Sequence, residues 1–512
     1  MTSRQGATFS MAQLLEGHDD APAFEAEGLR STRADLRNAA GRAAAHLARL
    51  GFSRGDVLAV WLPNGAAWLQ LLFAAAHLGV LIVPISTRYK AAEVRHLLGV
   101  SRARGIVTAK RFLDTDHADI ARGLKPQVPT LELVIEIDDL ASFMPCGPAT
   151  GTVTVPEMGE AADLLCCYST SGTTGMPKLA AHGHGSIARH AVHVARALEL
   201  RTGDGMLCVL PLFGVFGFFA ALSALAGGAR CIFMAVFDAA DAVQSIARHR
   251  ITHFIGSDAM YDAMFKVLGA DLRSLRRGVQ GDFVGLATQV TRQADALGIG
   301  LTGVYGSSEC YSLMSFNRFE APVDLRARAG GMPVDPEIEV RVTDPETGLR
   351  LPDGEPGEIQ IRGPNVLAGY LNNPEATAKA MTADGWFRSG DLGYSEGTSF
   401  VYLARMGDSL RLRGYLVNPA EIEACLMAHA SVQGAQVVGV NRPGEGDIAV
   451  AFIIATGTAD EAALAAHCRT QMAAYKVPRR IVVVEEFPSI NGPNGVKIQK
   501  KQLRDMAQSL IG

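Results

Sequence analysis

Leu164-Leu165-Cys166-Cys167-Tyr168-Ser169-Thr170-Ser171-Gly172-Thr173-Thr174-Gly175-Met176-Pro177-Lys178 is the stretch of this 512-residue chain that decides its fold. Its first five residues form an apolar run of strand length, and the ten from Ser169 to Lys178 hold five hydroxyls, two glycines and one lysine. A strand that empties into such a loop suits a polyphosphate. Glycines let backbone N–H groups approach anionic oxygens, hydroxyls add donors, and the lysine adds charge. The segment departs from the nucleotide-loop pattern GxxxxGK[ST], because Lys178 stands between Pro177 and Leu179. Taken alone, it also fits a flexible polar loop.

Outward from that loop, apolar runs alternate with helical patterns. Residues 35–50, rich in alanine, read as a helix before a strand at 57–62, and residues 66–80 as a helix before a strand at 81–85. Downstream, strands are expected at 231–237 and 253–255 and a helix at 239–249. This alternation argues for an α/β fold with largely parallel sheets. From residue 341 the texture turns to β structure, with Asp344-Pro345-Glu346-Thr347-Gly348 and Asp353-Gly354-Glu355-Pro356-Gly357 as hairpin loops, so a compact β subdomain is expected there. After residue 408 the pattern is short and mixed, with helices at 419–428 and 461–472 and strands at 435–440 and 448–454. The expected organisation is a large N-terminal domain, residues 1–407, of α/β subdomains plus a small β subdomain, followed by a small α+β C-terminal domain, residues 408–512.

The length implies roughly two to four domains. A net charge of −4 gives no reason to expect nucleic acid as a partner. The eight cysteines form no CxxC pair, and the first 20 residues lack a basic segment followed by an apolar run, so a cytoplasmic setting is expected. Met206 to Ala229 carry no charge, which is long enough to span a bilayer. Pro211, Gly214, Gly217, Gly227 and Gly228 interrupt that run, which reads instead as a loop, a buried helix and the start of a buried strand. No membrane span is therefore expected.

Four more motifs follow the loop in order across more than 300 residues: Tyr305-Gly306-Ser307-Ser308-Glu309, Ser389-Gly390-Asp391, Arg405-Met406-Gly407-Asp408 and Gly495-Val496-Lys497-Ile498-Gln499-Lys500. Together with Thr170 to Lys178, this series resembles the adenylate-forming superfamily of acyl-CoA synthetases, aryl-CoA ligases, luciferases and peptide-synthetase adenylation domains. Their motifs are similar to [ST]SG[ST]TGxPK, YGxTE, [ST]GD, RxxD and a C-terminal lysine.

The resemblance implies that Thr170, Ser171, Gly172, Thr173, Thr174, Gly175 and Lys178 grip the phosphates of ATP. It makes Glu309, with Thr170, the magnesium ligands, Ser308 a contact to the α-phosphate, Tyr305 a stacking partner near the adenine, Asp391 the acceptor of the ribose hydroxyls and Arg405 a contact to ribose or phosphate. Glu309 suits magnesium, which takes few carboxylates plus phosphate oxygens and waters, and a carboxylate such as Asp391 can accept two hydroxyls at once. Lys497, with Ser308 and Glu309, forms the catalytic set, and it would stabilise charge on the reacting carboxylate and α-phosphate. Val496 stands where the family usually has glycine, which leaves Lys500 and Lys501 as competitors, although Ile498 and Leu503-Arg504 at the usual offset favour Lys497. The resemblance further implies that the small domain is mobile, with Asp408 as its hinge and Arg413, Gly414 and Tyr415 lining a tunnel for the thiol of coenzyme A.

Leu210-Pro211-Leu212-Phe213-Gly214-Val215-Phe216-Gly217 resembles the family's PLFHxxG region with Gly214 in place of histidine. Phe213, Gly214 and Phe218 are the expected acyl pocket, for an uncharged aliphatic or aromatic acid. No Asp falls between Phe213 and Phe219 to hold an amino group, so a free amino acid is disfavoured. His184 matches a family histidine, His182 is expected to pack or cap, and residues 278–282 lie where the family has adenine contacts. The expected activity is acyl-CoA synthesis from a small carboxylic acid, ATP with Mg2+, and coenzyme A, with a homodimer as a possible assembly. The competing expectations are a ligase that loads a separate carrier protein, a nucleotide-binding homologue with impaired catalysis, and a membrane acid transporter.

Overall fold

In the computed structural model, which describes residues 9–16, 19–26, 29–137, 159–170, 177–406, 410–412, 415–417, 419–442, 446–472, 474–492 and 495–511, the strand Leu164–Thr170 stands inside a seven-stranded sheet. On one side it runs parallel to Leu81–Pro84, followed by Val57–Trp61, Gly105–Ala109 and Leu133–Ile137. On the other side the chain turns back, and Lys178–Gly183 pairs antiparallel with Thr170 opposite Lys178. The two ends of the phosphate loop are thus fixed face to face. Val57–Trp61 and Leu81–Pro84 are apolar throughout because helices cover both faces of the parallel part.

A second sheet has 13 strands among the described residues. Pro22–Ala26, Arg230–Phe233, Gly205–Cys208, His253–Ser257, Arg277–Gly281 and Gly300–Ser307 lie side by side and parallel. The chain then reverses, and Tyr311–Phe316, Gly330–Pro333, Ser399–Arg405, Phe387–Glu396, Gly357–Arg362 and Glu339–Thr343 continue the same sheet antiparallel. The β-rich stretch after residue 341, expected as a small β subdomain, forms the antiparallel part of this sheet. It is hydrogen-bonded to the α/β core through Gly330–Gly331 and Phe400–Val401.

Helix Val215–Ala226 lies between the two sheets. Phe218 packs edge-on against Tyr168 at 5.4 Å and Trp68 at 5.9 Å, on the side of the first sheet. Ser312, in the second, donates its hydroxyl to the Val215 carbonyl at 2.8 Å. Burial from both sides explains the absence of charge, and 12 residues span only about 18 Å. Among the described residues, no helix is long and apolar enough to cross a membrane. Helix termini follow local chemistry. Thr32 and Asp35 form a capping box that starts Arg33–Arg49, and Gly79 at φ +70° ends Ala66–Leu78, two residues short of the expected boundary.

The last part of the chain builds a five-stranded sheet from Leu410–Leu412, Tyr415–Val417, Val432–Arg442, Gly446–Ala455 and Arg480–Val483. Alternation along Val432–Arg442 sends Ala435 and Val437 toward helices Pro419–Met427 and Glu461–Gln471, and Val438 and Val440 toward helix Lys500–Ile511. A separate ribbon, Ser489–Gly492 with Gly495–Ile498, carries Lys497 opposite Ile490.

Candidate active site

Thr170 closes its strand with 8% of its surface exposed, and Lys178 opens the next. Ser171, Gly172, Thr173, Thr174 and Gly175, between them, lie outside the described residues. The returning limb is anchored where His96 Nε2 meets the Pro177 carbonyl at 3.0 Å. The Lys178 ammonium stands 4.3 Å from the centre of the Tyr370 ring, a cation–π contact that holds the charge at the mouth of the loop.

Tyr370 is a residue for which the sequence offers no motif, and it couples two motifs that are distant in the chain. Its strand, Gly369–Tyr370, pairs with Lys178–Gly183, and its hydroxyl donates to Glu309 Oε1 at 2.9 Å. Burial and the adjacent Glu309 carboxylate raise the phenol above its ordinary range, so it stays protonated and donates. The Glu309 backbone is held from both ends. Its N–H donates to Ser307 Oγ at 3.2 Å and its carbonyl accepts from the Leu367 N–H at 2.7 Å. Glu309 itself is 8% exposed.

His182, expected only to pack or cap, lies 2.7 Å through Nε2 from the Ser308 carbonyl. Burial pushes its pKa down to about 4, so the ring is neutral at pH 7 and Nε2–H is the donor. His184 has a different task, since its Nε2 accepts the Met11 N–H at 2.9 Å and pins the N-terminal segment. The strand that returns from the phosphate loop thus grips the 305–309 segment twice, through His182 and through the Tyr370 beside it.

Asp391 follows Gly390, whose φ of +68° favours glycine, and is 5% exposed. Arg405 Nη1 donates to its Oδ1 at 2.9 Å and the Tyr305 hydroxyl to its Oδ2 at 2.7 Å. Burial raises the Asp391 carboxyl above the usual range, against the Arg405 charge and the Tyr305 hydrogen bond. Each oxygen retains a second lone-pair direction for another donor. Arg405 Nη1 also donates to the Ser389 carbonyl at 2.7 Å, so the guanidinium closes the turn that presents the carboxylate. Tyr305 is 4% exposed, with its ring edge-on to Phe400 at 5.1 Å and tilted against Tyr402 at 5.6 Å. Its clearest task in the structure is to orient Asp391.

Of the expected acyl-pocket residues, Phe213 is 8% exposed and Gly214 caps helix Val215–Ala226. Phe218 faces the core rather than a cavity, against Trp68, Tyr168 and Phe219. The loop before the helix is held by Asn64, which accepts from the Leu212 N–H at 2.8 Å and donates to the Leu210 carbonyl at 3.0 Å. Gly217 is required on this face, because a Cβ there would lie 2.3 Å from the Leu210 carbonyl oxygen.

Asp408, Arg413 and Gly414 lie outside the described residues, and Tyr415 starts the strand Tyr415–Val417. Lys497 sits in Gly495–Ile498, a strand that packs against helix Asp258–Phe265 of the large domain. Lys500, its competitor, starts a helix and donates to Glu423 at 3.2 Å within the small domain.

Thr170, Lys178, Glu309, Asp391 and Arg405 thus converge where the carboxyl ends of the parallel strands meet the antiparallel extension. Residues 12–371 match the AMP-binding enzyme family, and residues 421–491 match the AMP-binding enzyme C-terminal domain. The chain belongs to the AMP-binding enzymes. It is 33% identical over 513 residues to the 3-[(3aS,4S,7aS)-7a-methyl-1,5-dioxo-octahydro-1H-inden-4-yl]propanoyl:CoA ligase of Mycobacterium tuberculosis, covering 97% of this chain and 98% of that one. It is 31% identical over 483 residues to 4-coumarate–CoA ligase 5 of Oryza sativa subsp. japonica, covering 90% and 87%. Among solved structures it is similar to ATP-bound MatB from Rhodopseudomonas palustris, with a TM-score of 0.87, 25% identity and coverage of 98% and 100%. As a member of this AMP-binding family, the chain has the family's two-part layout, a large α/β body followed by a small C-terminal domain.

Proposed function

We propose that this AMP-binding enzyme activates an uncharged aliphatic or aromatic carboxylic acid with ATP, releasing pyrophosphate, and transfers the acyl group from the adenylate to coenzyme A. The observation that carries it is the linkage of Lys178, Tyr370 and Glu309 next to the Tyr305–Asp391–Arg405 cluster, which supports polyphosphate and ribose binding in one cleft. The relatives named as acid–CoA ligases over nearly their whole length support the same reaction.

Joining a carboxylate to the α-phosphate brings two anions together, so preorganised positive charge is the main catalytic requirement. Lys178 and the hydroxyls and N–H groups of residues 170–175 hold the β- and γ-phosphates, and Ser308 contacts the α-phosphate. Asp391, oriented by Arg405 and Tyr305, accepts the ribose hydroxyls. Lys497 enters from the small domain and neutralises charge on the reacting oxygens. The buried Glu309 carboxylate, with the Thr170 hydroxyl, is a hard-oxygen donor set that fits magnesium, which would neutralise phosphate charge when bound. After adenylation the small domain turns about Asp408, and Arg413, Gly414 and Tyr415 line the thiol's path.

The test is pyrophosphate release by the purified chain with short, medium, branched and aromatic acids, with and without coenzyme A. Acid-dependent release followed by CoA-dependent thioester and AMP is the expected result. ATP binding without acid-dependent release refutes the reading, and transfer only to a carrier-protein phosphopantetheine refutes the second step.

A further inference from the structure

Helix Asp258–Phe265 opens with a fully buried carboxylate. Asp258 accepts four backbone N–H groups: Ala259 at 2.9 Å in its own first turn, and Phe283 at 3.2 Å, Val284 at 3.1 Å and Leu286 at 2.9 Å from the loop after strand Arg277–Gly281. Asp282 tightens the same loop by accepting the Gly285 N–H at 2.9 Å. Two adjacent parallel strands, His253–Ser257 and Arg277–Gly281, are thereby locked together at their carboxyl ends, beside the strand that carries Tyr305.

The locked loop aims a side chain. A Cβ on Gly281 would lie 2.9 Å from the Phe283 ring and 3.4 Å from the ring of Phe216, which comes from helix Val215–Ala226. The two phenyl groups therefore flank the Gly281 backbone, and a side chain there would displace the Phe283 ring. Phe216 is three residues beyond Phe213, and the Lys497 ribbon packs against the helix that Asp258 begins. The helix that Asp258 begins thus adjoins the Lys497 strand, and the strand that leads to Phe283 adjoins the one that carries Tyr305.

We propose that Asp258 is a positioning residue for acid recognition, fixing residues 283–286 so that Phe283 and Phe216 form a flat apolar wall that favours a bulky apolar acid over a short one. This rests on the acid-activating function above. Asp258 acts through Phe283 and touches no substrate, so its removal alters the preference among acids without altering nucleotide binding. A carboxylate serving only the stability of the fold would weaken all ligands together.

The experiment compares wild type with Asp258→Ala, Asp258→Asn, Phe283→Ala and the Asp258→Ala/Phe283→Ala pair. Calorimetric affinities are measured for AMP and for the acetyl, hexanoyl and cinnamoyl sulfamoyladenosines, with hydrogen exchange followed at residues 283–286. Wild type is expected to bind the cinnamoyl analogue about tenfold or more tighter than the acetyl one. Asp258→Ala is expected to lose most of that preference, to keep AMP affinity within about twofold and to exchange faster at 283–286, with no additional loss in the pair. Asp258→Asn keeps one acceptor oxygen and is expected to be intermediate, which preserves the comparison if the alanine variant fails to fold. A retained preference, a parallel loss of AMP affinity, or additive effects in the pair overturn the proposal. So does a wild type that binds no analogue more tightly than AMP, whereas acid-dependent pyrophosphate release tests the activity itself.

Discussion

Replacing Tyr370 by phenylalanine isolates one hydrogen bond in the site. The ring stays, so its contact with Lys178 and its packing volume are kept, and only the hydroxyl that donates to Glu309 at 2.9 Å is lost. A hydrogen bond to a charged acceptor contributes about 1.5–3 kcal/mol, or roughly 10- to 150-fold in an equilibrium or rate constant. Glu309 is 8% exposed, so solvent compensates little, and the loss is expected near the middle of that range. Pyrophosphate exchange with saturating acid should show kcat/KM for ATP reduced by about 30-fold, with an increased magnesium requirement, because the carboxylate is no longer held in one orientation. Glu309→Gln and the double variant complete a cycle in which Tyr370→Phe adds little once Glu309 is gone. A Tyr370→Phe enzyme within twofold of wild type at limiting ATP and magnesium refutes the role assigned to this hydroxyl.

Lys497→Ala is expected to lower adenylation by roughly 10²- to 10³-fold, comparable to the loss of one strong transition-state donor, and near-normal pyrophosphate release would transfer the role to another lysine. Phe218→Ala removes a core ring and should cost about 3–5 kcal/mol, visible as a lower urea midpoint, with KM for the acid unchanged in the folded fraction. An altered acid KM would return Phe218 to the pocket. His182 and His190 are both depressed to about 4 by burial. The unfolded chain, with ordinary histidines near 6.5, therefore binds more protons between those values. Their contribution to stability is complete above about pH 6.5 and is lost as pH falls toward 4, at up to roughly 2.7 kcal/mol per pH unit for the two together. Urea midpoints at pH 7, 6 and 5 read this directly, and histidine resonances titrating near 6.5 for both rings would contradict it.

Periodicity and turn residues suffice to place helix Ala239–His249 and the strand leading into the phosphate loop, because their signals are local. Hairpin signals after residue 341 are also local, and they do not reveal that Gly330–Gly331 pairs with Phe400–Val401 and joins that region to the large sheet. The site divides in the same way. Glu309 and Asp391 stand in short motifs, whereas Tyr370 meets Glu309 across 61 positions, Asp258 meets Leu286 across 28 and His182 meets Ser308 across 126. Nothing near any of these three residues in the chain announces its partner. His182 and His184 have different partners for a geometric reason: one is in the strand that faces the site and bonds the Ser308 carbonyl, and the other is the first residue of the next helix and accepts the Met11 N–H.

The charge-free helix between the two sheets also has a history during synthesis. Ser312, which binds the Val215 carbonyl from the second sheet, leaves the ribosome 97 residues later. At about 5–20 residues per second, Val215–Ala226 waits roughly 5 to 20 s for that partner. During this interval a segment apolar enough to resemble a membrane span is covered on one side only. Chaperone capture of nascent chains stalled between residues 230 and 310, and its loss once residue 316 has emerged, would be the cellular trace of a helix that both sheets must enclose.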